Sequence, residues 1–340
     1  MDTKYFLNKL VQKENLTQEE SHQLLVAMMK GEMSQGQIAA LLTALRMKGE
    51  TIEEILGFII AMRENMVTIQ EKQSDNAIDV CGTGGDGKGT VNISTAVAFV
   101  VAGCGVQVVK HGNRAASSKS GSADVLEALG IKINLTPEQA QNILQKVGMV
   151  FLFAPLFHPS MKQVAMVRKE LQIRTIFNFL GPFANPASVK RQLIGVPNKE
   201  IAETVAEVGK KLGYEHLMIV TSEDGLDEIS ISSKTHVFEI RENTVTKSVI
   251  DPKDFGFQIS SAKEISGGNA AENASLMRDL FDGKKGAIRD MVVLNSSVAL
   301  LVAGKVKNIA EGIQLARASI DKGRAKKVLD NVIKETQQYA

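Results

Sequence analysis

The sequence predicts an α/β fold: a small N-terminal helical domain followed by a larger α/β domain built on a mostly parallel central sheet. Three observations carry that expectation. Three helix-start signatures stand in a row before residue 65, short β-rich runs alternate with amphipathic stretches from Ala77 onward, and glycine turns separate them. At 340 residues the chain exceeds what one hydrophobic core ordinarily supports. The expected domains are 1–68 and 69–340, with helices near 160–180 available to join the first.

Thr17 with Glu20, Ser34 with Gln37 and Thr51 with Glu54 each have capping-box spacing, in which the two side chains satisfy each other's orphan backbone donors at a helix start. Ile38, Leu41, Leu42 and Leu45 recur at helical spacing before Lys48 and Gly49 end the run. Ile55, Ile59, Ile60 and Met62 repeat the pattern. This module reads as structural. Beyond it, strands are expected at Ile78 to Cys81, Gln107 to Lys110, Ile131 to Leu135, Leu217 to Thr221 and Met291 to Asn295. An antiparallel hairpin is expected over Thr235 to Val249, turning at Glu242 and Asn243.

Composition narrows the function. Apolar residues make up 44% and charged residues 23%, as in an ordinary globular protein, and the formal net charge is +2. That near balance argues against a dedicated nucleic-acid or polybasic membrane protein and leaves small acidic ligands open. Cys81 and Cys104 have no Cys-x-x-Cys or histidine partner pattern, which suggests neither a zinc site nor a disulfide scaffold and fits a reducing cytoplasm. The first residues lack the basic-then-apolar build of a secretory signal. Val91 to Val109 carries no charge, but Asn92, Ser94, Thr95 and the Gly103–Gly105 break read as helix, turn and strand rather than a membrane span.

The most informative stretch follows the first expected strand. Gly82, Gly84, Gly85, Gly87 and Gly89 crowd into eight positions, leaving a bare backbone whose N–H groups can converge on one anion. Gly82, Gly84 and Gly87 satisfy the dinucleotide fingerprint, yet the next strand ends in Lys110 and His111 rather than an acidic residue. A Walker A loop begins equally well but meets Gly89 where a magnesium-binding Ser or Thr belongs. A flexible turn is the bland alternative. Asp86 is unexpected in a phosphate loop, because a carboxylate repels phosphate unless a divalent cation lies between them or it accepts from sugar hydroxyls. It points to a metal-bound sugar phosphate.

A second cluster closes the second strand, where open α/β sheets bind ligands. Lys110, Arg114 and Lys119 stand with Asn113 and four serines, among them Ser118 and Ser122, before Asp124. Ser122 is expected to cap a helix over 123–129.

Together these clusters resemble the anthranilate phosphoribosyltransferase family. The resemblance runs the length of the chain: Met62 and Arg63, 153–159, 167–178, 180–186, 224–228 and 267–272. Val91, where the family usually carries Phe, and Gln172, where Gly is common, depart from it without removing a polar contact. The resemblance implies a nucleoside phosphorylase/phosphoribosyltransferase-like fold and a transfer of the 5-phosphoribosyl group of phosphoribosyl pyrophosphate to the amine of anthranilate, in tryptophan biosynthesis. It implies donor contacts from Gly82, Gly84, Gly85, Asp86, Thr90, Asn92, Ser94, Thr95, Lys110, Ser118 and Ser122, and Mg²⁺ held by Asp227 and Glu228 with the Ser94 hydroxyl. For the acceptor it implies Gly82, Asn113, Arg168, His111 and His158, the last equally readable as a histidine that holds backbone. His22, His216 and His236 match no functional position. It also implies a cytoplasmic homodimer with no nucleic-acid or membrane partner. An arylamine keeps its lone pair at neutral pH, so no catalytic base is named. A pyrimidine nucleoside phosphorylase would share the architecture and the glycine loop, without needing Arg168 or the Asp227–Glu228 pair. A non-catalytic nucleic-acid-binding homologue would need a basic excess that +2 does not supply.

Overall fold

The computed structural model describes residues 2–69, 75–115 and 119–339. The chain forms two compact units, Met1–Thr68 with Ala154–Pro186, and Ile69–Phe153 with Ala187–Ala340. The stretch 154–186, which a single boundary at residue 69 assigns to the α/β domain, therefore belongs with the helices.

In the helical unit, Thr3–Val11, Gln18–Met29, Gln35–Lys48 and Ile52–Glu64 are α-helices, and all three capping boxes form at the last three of them. Gly49 ends the third helix at φ 91°, a conformation open to glycine. Leu24, Leu25, Met28, Ile38, Leu41, Leu42, Leu45, Ile55, Phe58 and Ile59 fill the core between these helices. Glu54 lies buried among them, its carboxylate held by Lys48 Nζ at 2.9 Å and by the Leu16 amide at 2.9 Å. A buried charge without such partners would be strongly destabilising. The returning segment adds the helix Lys162–Leu171, which buries Val164 and Val167 against Gln18–Met29 and Gln35–Lys48. Phe177 meets Phe58 edge-on with ring centroids 5.7 Å apart.

The second unit is built on seven strands: β1 (Ile78–Gly82), β2 (Val108–Gly112), β3 (Met149–Phe153), β4 (Arg191–Gly195), β5 (His216–Ser222), β6 (Thr235–Arg241) and β7 (Thr244–Ile250). Their order is β3-β2-β1-β4-β5-β6-β7. The five strands β3-β2-β1-β4-β5 are parallel, and β6 and β7 add an antiparallel hairpin at the edge. Glu242 and Asn243, at φ 50° and 60°, make the tight turn between those two strands. From β1 the chain builds outward to β2 and β3, then returns to the other side of β1 for β4 and β5. Such a reversal opens a crevice at the carboxyl ends of the strands.

Two expected strands are absent. Ile131, Ile133 and Leu135 are buried in alternation, as a strand would be, but the segment joins no ladder, and the Lys132 amide donates to Thr336 Oγ1 at 3.3 Å instead. Met291 to Asn295 lies inside the helix Ala287–Val302, which is buried on nearly every side. A helix without a wet face loses its amphipathic period and reads like a short buried strand. β3 and β4 were not anticipated. No helix among the described residues is long and apolar enough to cross a membrane; Val91 to Val109 divides into the helix Ile93–Gly103, a turn and the start of β2.

Candidate active site

The glycine loop leaves the carboxyl end of β1 and crosses to the helix Ile93–Gly103. Gly84, Gly85, Gly87 and Gly89 have φ of 69°, 79°, 69° and 64°, so four of its residues occupy the left-handed region that side chains disfavour. A Cβ at Gly84, Gly87 or Gly89 would meet nothing within 4 Å. These glycines serve the backbone conformation, and the space over them is open to a ligand. Asn92 precedes the helix without capping it by side chain. Of its first-turn amides, Ile93 N donates to Val91 O at 2.6 Å, and Thr95 N and Ala96 N donate to Asn92 O at 3.2 and 3.1 Å. Glu228 takes the Ser94 amide, at 3.0 Å from Oε1.

Asp227 and Glu228 follow β5 and its acidic turn, and the fold brings them under the glycine loop. Asp227 Oδ2 accepts from the Gly84 amide at 3.0 Å. A Cβ on Gly82 would stand 2.5 Å from that same oxygen, and one on Gly195, at the end of β4, would stand 1.5 Å from the Asp227 carbonyl oxygen. Both strand ends are bare so that this turn can fit between them. Desolvation raises the Asp227 carboxyl well above the usual carboxylate range, and the neighbouring Asp86 raises it further. Burial and the Asp227 charge do the same to Glu228, with Lys110 opposing them. Asp86 itself accepts from the Lys88 amide at 3.1 Å through Oδ1, while its Oδ2 is buried without a hydrogen-bond partner among the described residues. Asp224 is consumed structurally, accepting from the hydroxyls of Ser222 at 2.6 Å and Ser230 at 2.7 Å.

Lys110, on β2, is only 2% exposed. Its Nζ donates to the Val80 carbonyl at 2.5 Å and to Ser94 Oγ at 3.3 Å. It thus stands beneath the crevice floor as a countercharge for the carboxylates. Thr95 is buried, and its hydroxyl has no partner among the described residues. Thr90 bridges to Ser266. Asn92 is braced on both sides: its Nδ2 donates to Ser120 O at 3.0 Å, and its Oδ1 accepts from Asn273 Nδ2 at 2.9 Å, leaving one N–H and one lone pair for a ligand.

The loop after β2 is organised by Asp124 rather than by a serine cap. Asp124 Oδ2 accepts from the amides of Gly121 at 2.9 Å and Ala115 at 3.0 Å. The helix runs Ser122–Ala128 with Gly121 before it, so Ser122 is its first residue rather than its cap. Ser122 Oγ donates to the Asn113 carbonyl at 3.2 Å, and Asn113 Oδ1 accepts from the Arg114 amide at 2.8 Å. Arg114 is neutralised by Glu127 and Asp124 and stacks over Phe153 at 5.4 Å. It holds the loop and offers no free cation. His111 is buried on β2, its amide donating to Asp79 Oδ1 at 3.3 Å. Ser118 lies outside the described residues.

In the helical unit, Arg168 sits on Lys162–Leu171 with its guanidinium 5.1 Å over the Phe177 ring. It makes no ion pair among the described residues. His158 is buried, its Nε2 at 3.0 Å from the Ala184 carbonyl, and burial lowers its pKa to about 4. A neutral ring tied to backbone suits a structural histidine. His22, His216 and His236 pair with Glu64, Glu239 and Glu223 at 2.6, 2.7 and 3.1 Å.

Comparison with known proteins decides the family. The helical bundle domain of the glycosyl transferase family matches residues 4–66, and that family's a/b domain matches 74–326. The chain is 49% identical to the anthranilate phosphoribosyltransferase of Acetivibrio thermocellus over 98% of its own length and 96% of the relative's. It superposes on the crystal structure of the Thermus thermophilus enzyme with a TM-score of 0.91, at 38% identity, covering 99% of this chain and 100% of that one. The chain belongs to the anthranilate phosphoribosyltransferase family. The Saccharomyces cerevisiae member, solved in complex with PRPP and Mg, superposes with a TM-score of 0.91 at 28% identity, covering 99% and 98% of the two chains.

Three residues shape the crevice without having been given a role from sequence, although Gly267 opens the 267–272 motif. Gly195 admits the Asp227 backbone; its strand was itself missed, although a glycine closing an apolar run was the available signal. Gly267 donates to the Gly89 carbonyl at 2.8 Å, and a Cβ there would stand 2.8 Å from the Thr90 backbone, so the 267–272 motif buttresses the glycine loop. Asn273, which braces Asn92, also accepts from the Gly268 amide at 2.7 Å. No local signal distinguishes Asn273 from a solvated helical asparagine.

Proposed function

We propose that this chain transfers the 5-phosphoribosyl group of phosphoribosyl pyrophosphate to the amine of anthranilate, releasing pyrophosphate, as a step of tryptophan biosynthesis. The observation that carries the reading is the seating of Asp227 and Glu228 under the glycine loop at the sheet's switch point. Two carboxylates raised toward protonation beneath a phosphate cradle are a poor arrangement for an anion alone and a good one for an anion chelated to a divalent cation.

The donor set fits Mg²⁺. Asp227, Glu228 and the Ser94 hydroxyl are hard oxygen ligands, and Asp86 adds an unpartnered buried carboxylate oxygen. Among the described residues no group of three or more His, Cys, Asp or Glu side chains gathers tightly enough to hold a metal, and Mg²⁺ is commonly held by one or two carboxylates plus phosphate oxygens and water. Bound there, the ion supplies charge neutralisation on the departing diphosphate. The glycine-loop amides hold the phosphate oxygens in place, with Thr90, Asn92, Ser94, Thr95, Ser118 and Ser122 completing the donor site. Lys110 balances the carboxylates from below. Arg168 is proposed to take the anthranilate carboxylate through its planar fork, with Gly82, Asn113 and His111 as the further acceptor contacts, while His158, tied to the Ala184 carbonyl, holds backbone. Positioning of the neutral amine against the ribose C1 and stabilisation of the leaving group carry the rate, and no general base is assigned. The working form is proposed to be a cytoplasmic homodimer.

Anthranilate fluorescence tests the reading. The signal is expected to fall only when phosphoribosyl pyrophosphate and Mg²⁺ are both present. Phosphorolysis of thymidine or uridine without that loss would transfer the chain to the nucleoside phosphorylases.

A further inference from the structure

The buried helix Ala287–Val302 carries three consecutive polar residues, Asn295, Ser296 and Ser297, none of which is among the donor or acceptor residues assigned above. Ser297 Oγ turns back to its own helix, donating to Leu294 O at 2.7 Å. Asn295 reaches out of its helix. Its Oδ1 accepts from the Ile229 amide at 2.9 Å, while its Nδ2 donates to the Ile229 carbonyl at 2.7 Å and to Met291 O at 2.9 Å. A primary amide that binds both polar groups of one residue imitates a neighbouring strand. It fixes that residue in position and in rotation, and leaving those buried groups unpaired would be costly.

Ile229 directly follows Glu228. Beneath the turn lies a small cavity lined by Glu228, Asn295, Ser94, Cys81 and Gly195. The cavity holds no more than about one water, so Glu228 and Asn295 are close neighbours across it. We propose that Asn295 is a positioning residue that sets the height at which Asp227 and Glu228 meet the metal-chelated sugar diphosphate. The proposal rests on the assignment of the donor to this crevice. Outer-shell partners of metal-binding carboxylates commonly matter this much, their loss costing about 10–100-fold in metal affinity.

The test uses the full chain with Asn295→Leu, which keeps the volume and removes both bonds to Ile229, and Asn295→Asp, which keeps one acceptor and removes the donors. Ser297→Ala is the control on the same buried helix. Calorimetry of phosphoribosyl pyrophosphate binding is run across a series of Mg²⁺ concentrations, with circular dichroism for folding. The half-saturating Mg²⁺ concentration is expected to rise about tenfold or more in both Asn295 variants and to stay at the wild-type value in the control. Unchanged midpoints in folded Asn295 variants, or an equal shift in Ser297→Ala, would overturn the proposal. So would unfolding of both Asn295 variants beside a folded control, since the residue would then serve the fold alone. Absence of donor binding in the wild type would instead remove the functional reading, and this inference with it.

Discussion

Replacing Gly195 by Ala should disable the carboxylate turn through backbone contact alone. Gly195 lies at the end of β4 outside the left-handed region, so no φ strain arises and only space is at issue. The added methyl would stand 1.5 Å from the Asp227 carbonyl oxygen and 2.5 Å from its carbonyl carbon, where ordinary contacts are about 3.5 Å. Because the obstacle is main chain, no rotamer change relieves it, and the turn must retreat by roughly 2 Å. Overpacking of this kind costs about 1–3 kcal/mol. Loss of the Gly84 amide to the Asp227 carboxylate, 3.0 Å in the native turn, adds about 1.5–3 kcal/mol. The thermal midpoint should fall by roughly 5–12 °C. Displacements of about 1 Å can cost a hundredfold in rate, so kcat/KM should drop by about 100-fold or more, with a raised Mg²⁺ requirement. Steady-state kinetics over a Mg²⁺ series with differential scanning calorimetry would check both. Wild-type kcat/KM, Mg²⁺ midpoint and melting temperature together would refute the reasoning.

Gly84→Ala poses the opposite problem, an open site at φ 69°, so stability should fall by only about 1–2 kcal/mol while donor affinity drops; equilibrium denaturation beside calorimetry separates the two, and intact donor binding would count against the loop assignment. The carboxylate pair gives a pH signature. The folded state holds these protons more tightly than the unfolded chain, so the pair's contribution to stability is full below the unfolded pKa values and is lost as pH rises through the folded ones. Without ligands, Asp227→Asn and Glu228→Gln should therefore melt above the wild type near about pH 9, with the gap closing toward about pH 5, and a gap independent of pH would contradict the burial argument. Arg168→Ala should raise the KM for anthranilate by about 10–100-fold and leave donor affinity within about twofold, and Arg168→Lys should recover little because a point charge cannot copy the fork. Equal losses for both substrates would remove the acceptor role.

Much of this arrangement was legible in sequence because it rests on local chemistry. The capping boxes at Thr17, Ser34 and Thr51 form as spaced, since each is closed by residues three apart. The glycine loop likewise announces its left-handed backbone, because few other residues tolerate it. Misreadings fell where burial erased the signal. Met291 to Asn295 has no polar face to mark a helix, and the alternation of Ile131, Ile133 and Leu135 reflects packing against neighbours rather than a ladder. Ser122 looked like a cap by residue type, but Asp124 two residues on captured the Gly121 and Ala115 amides with a charged acceptor.

By itself the sequence determined the elements whose cause lies within a few residues: where helices begin, where the backbone must be bare, and which clusters carry phosphate and cation chemistry. Tertiary structure alone decided which of those clusters meet. Asp227 lies 143 positions from the Gly84 amide it accepts from, and only the placing of β4 and β5 beside β1 brings them together. The physical reason is that strand order and the room left by Gly82 and Gly195 are properties of packing between distant segments, which local spacing does not encode.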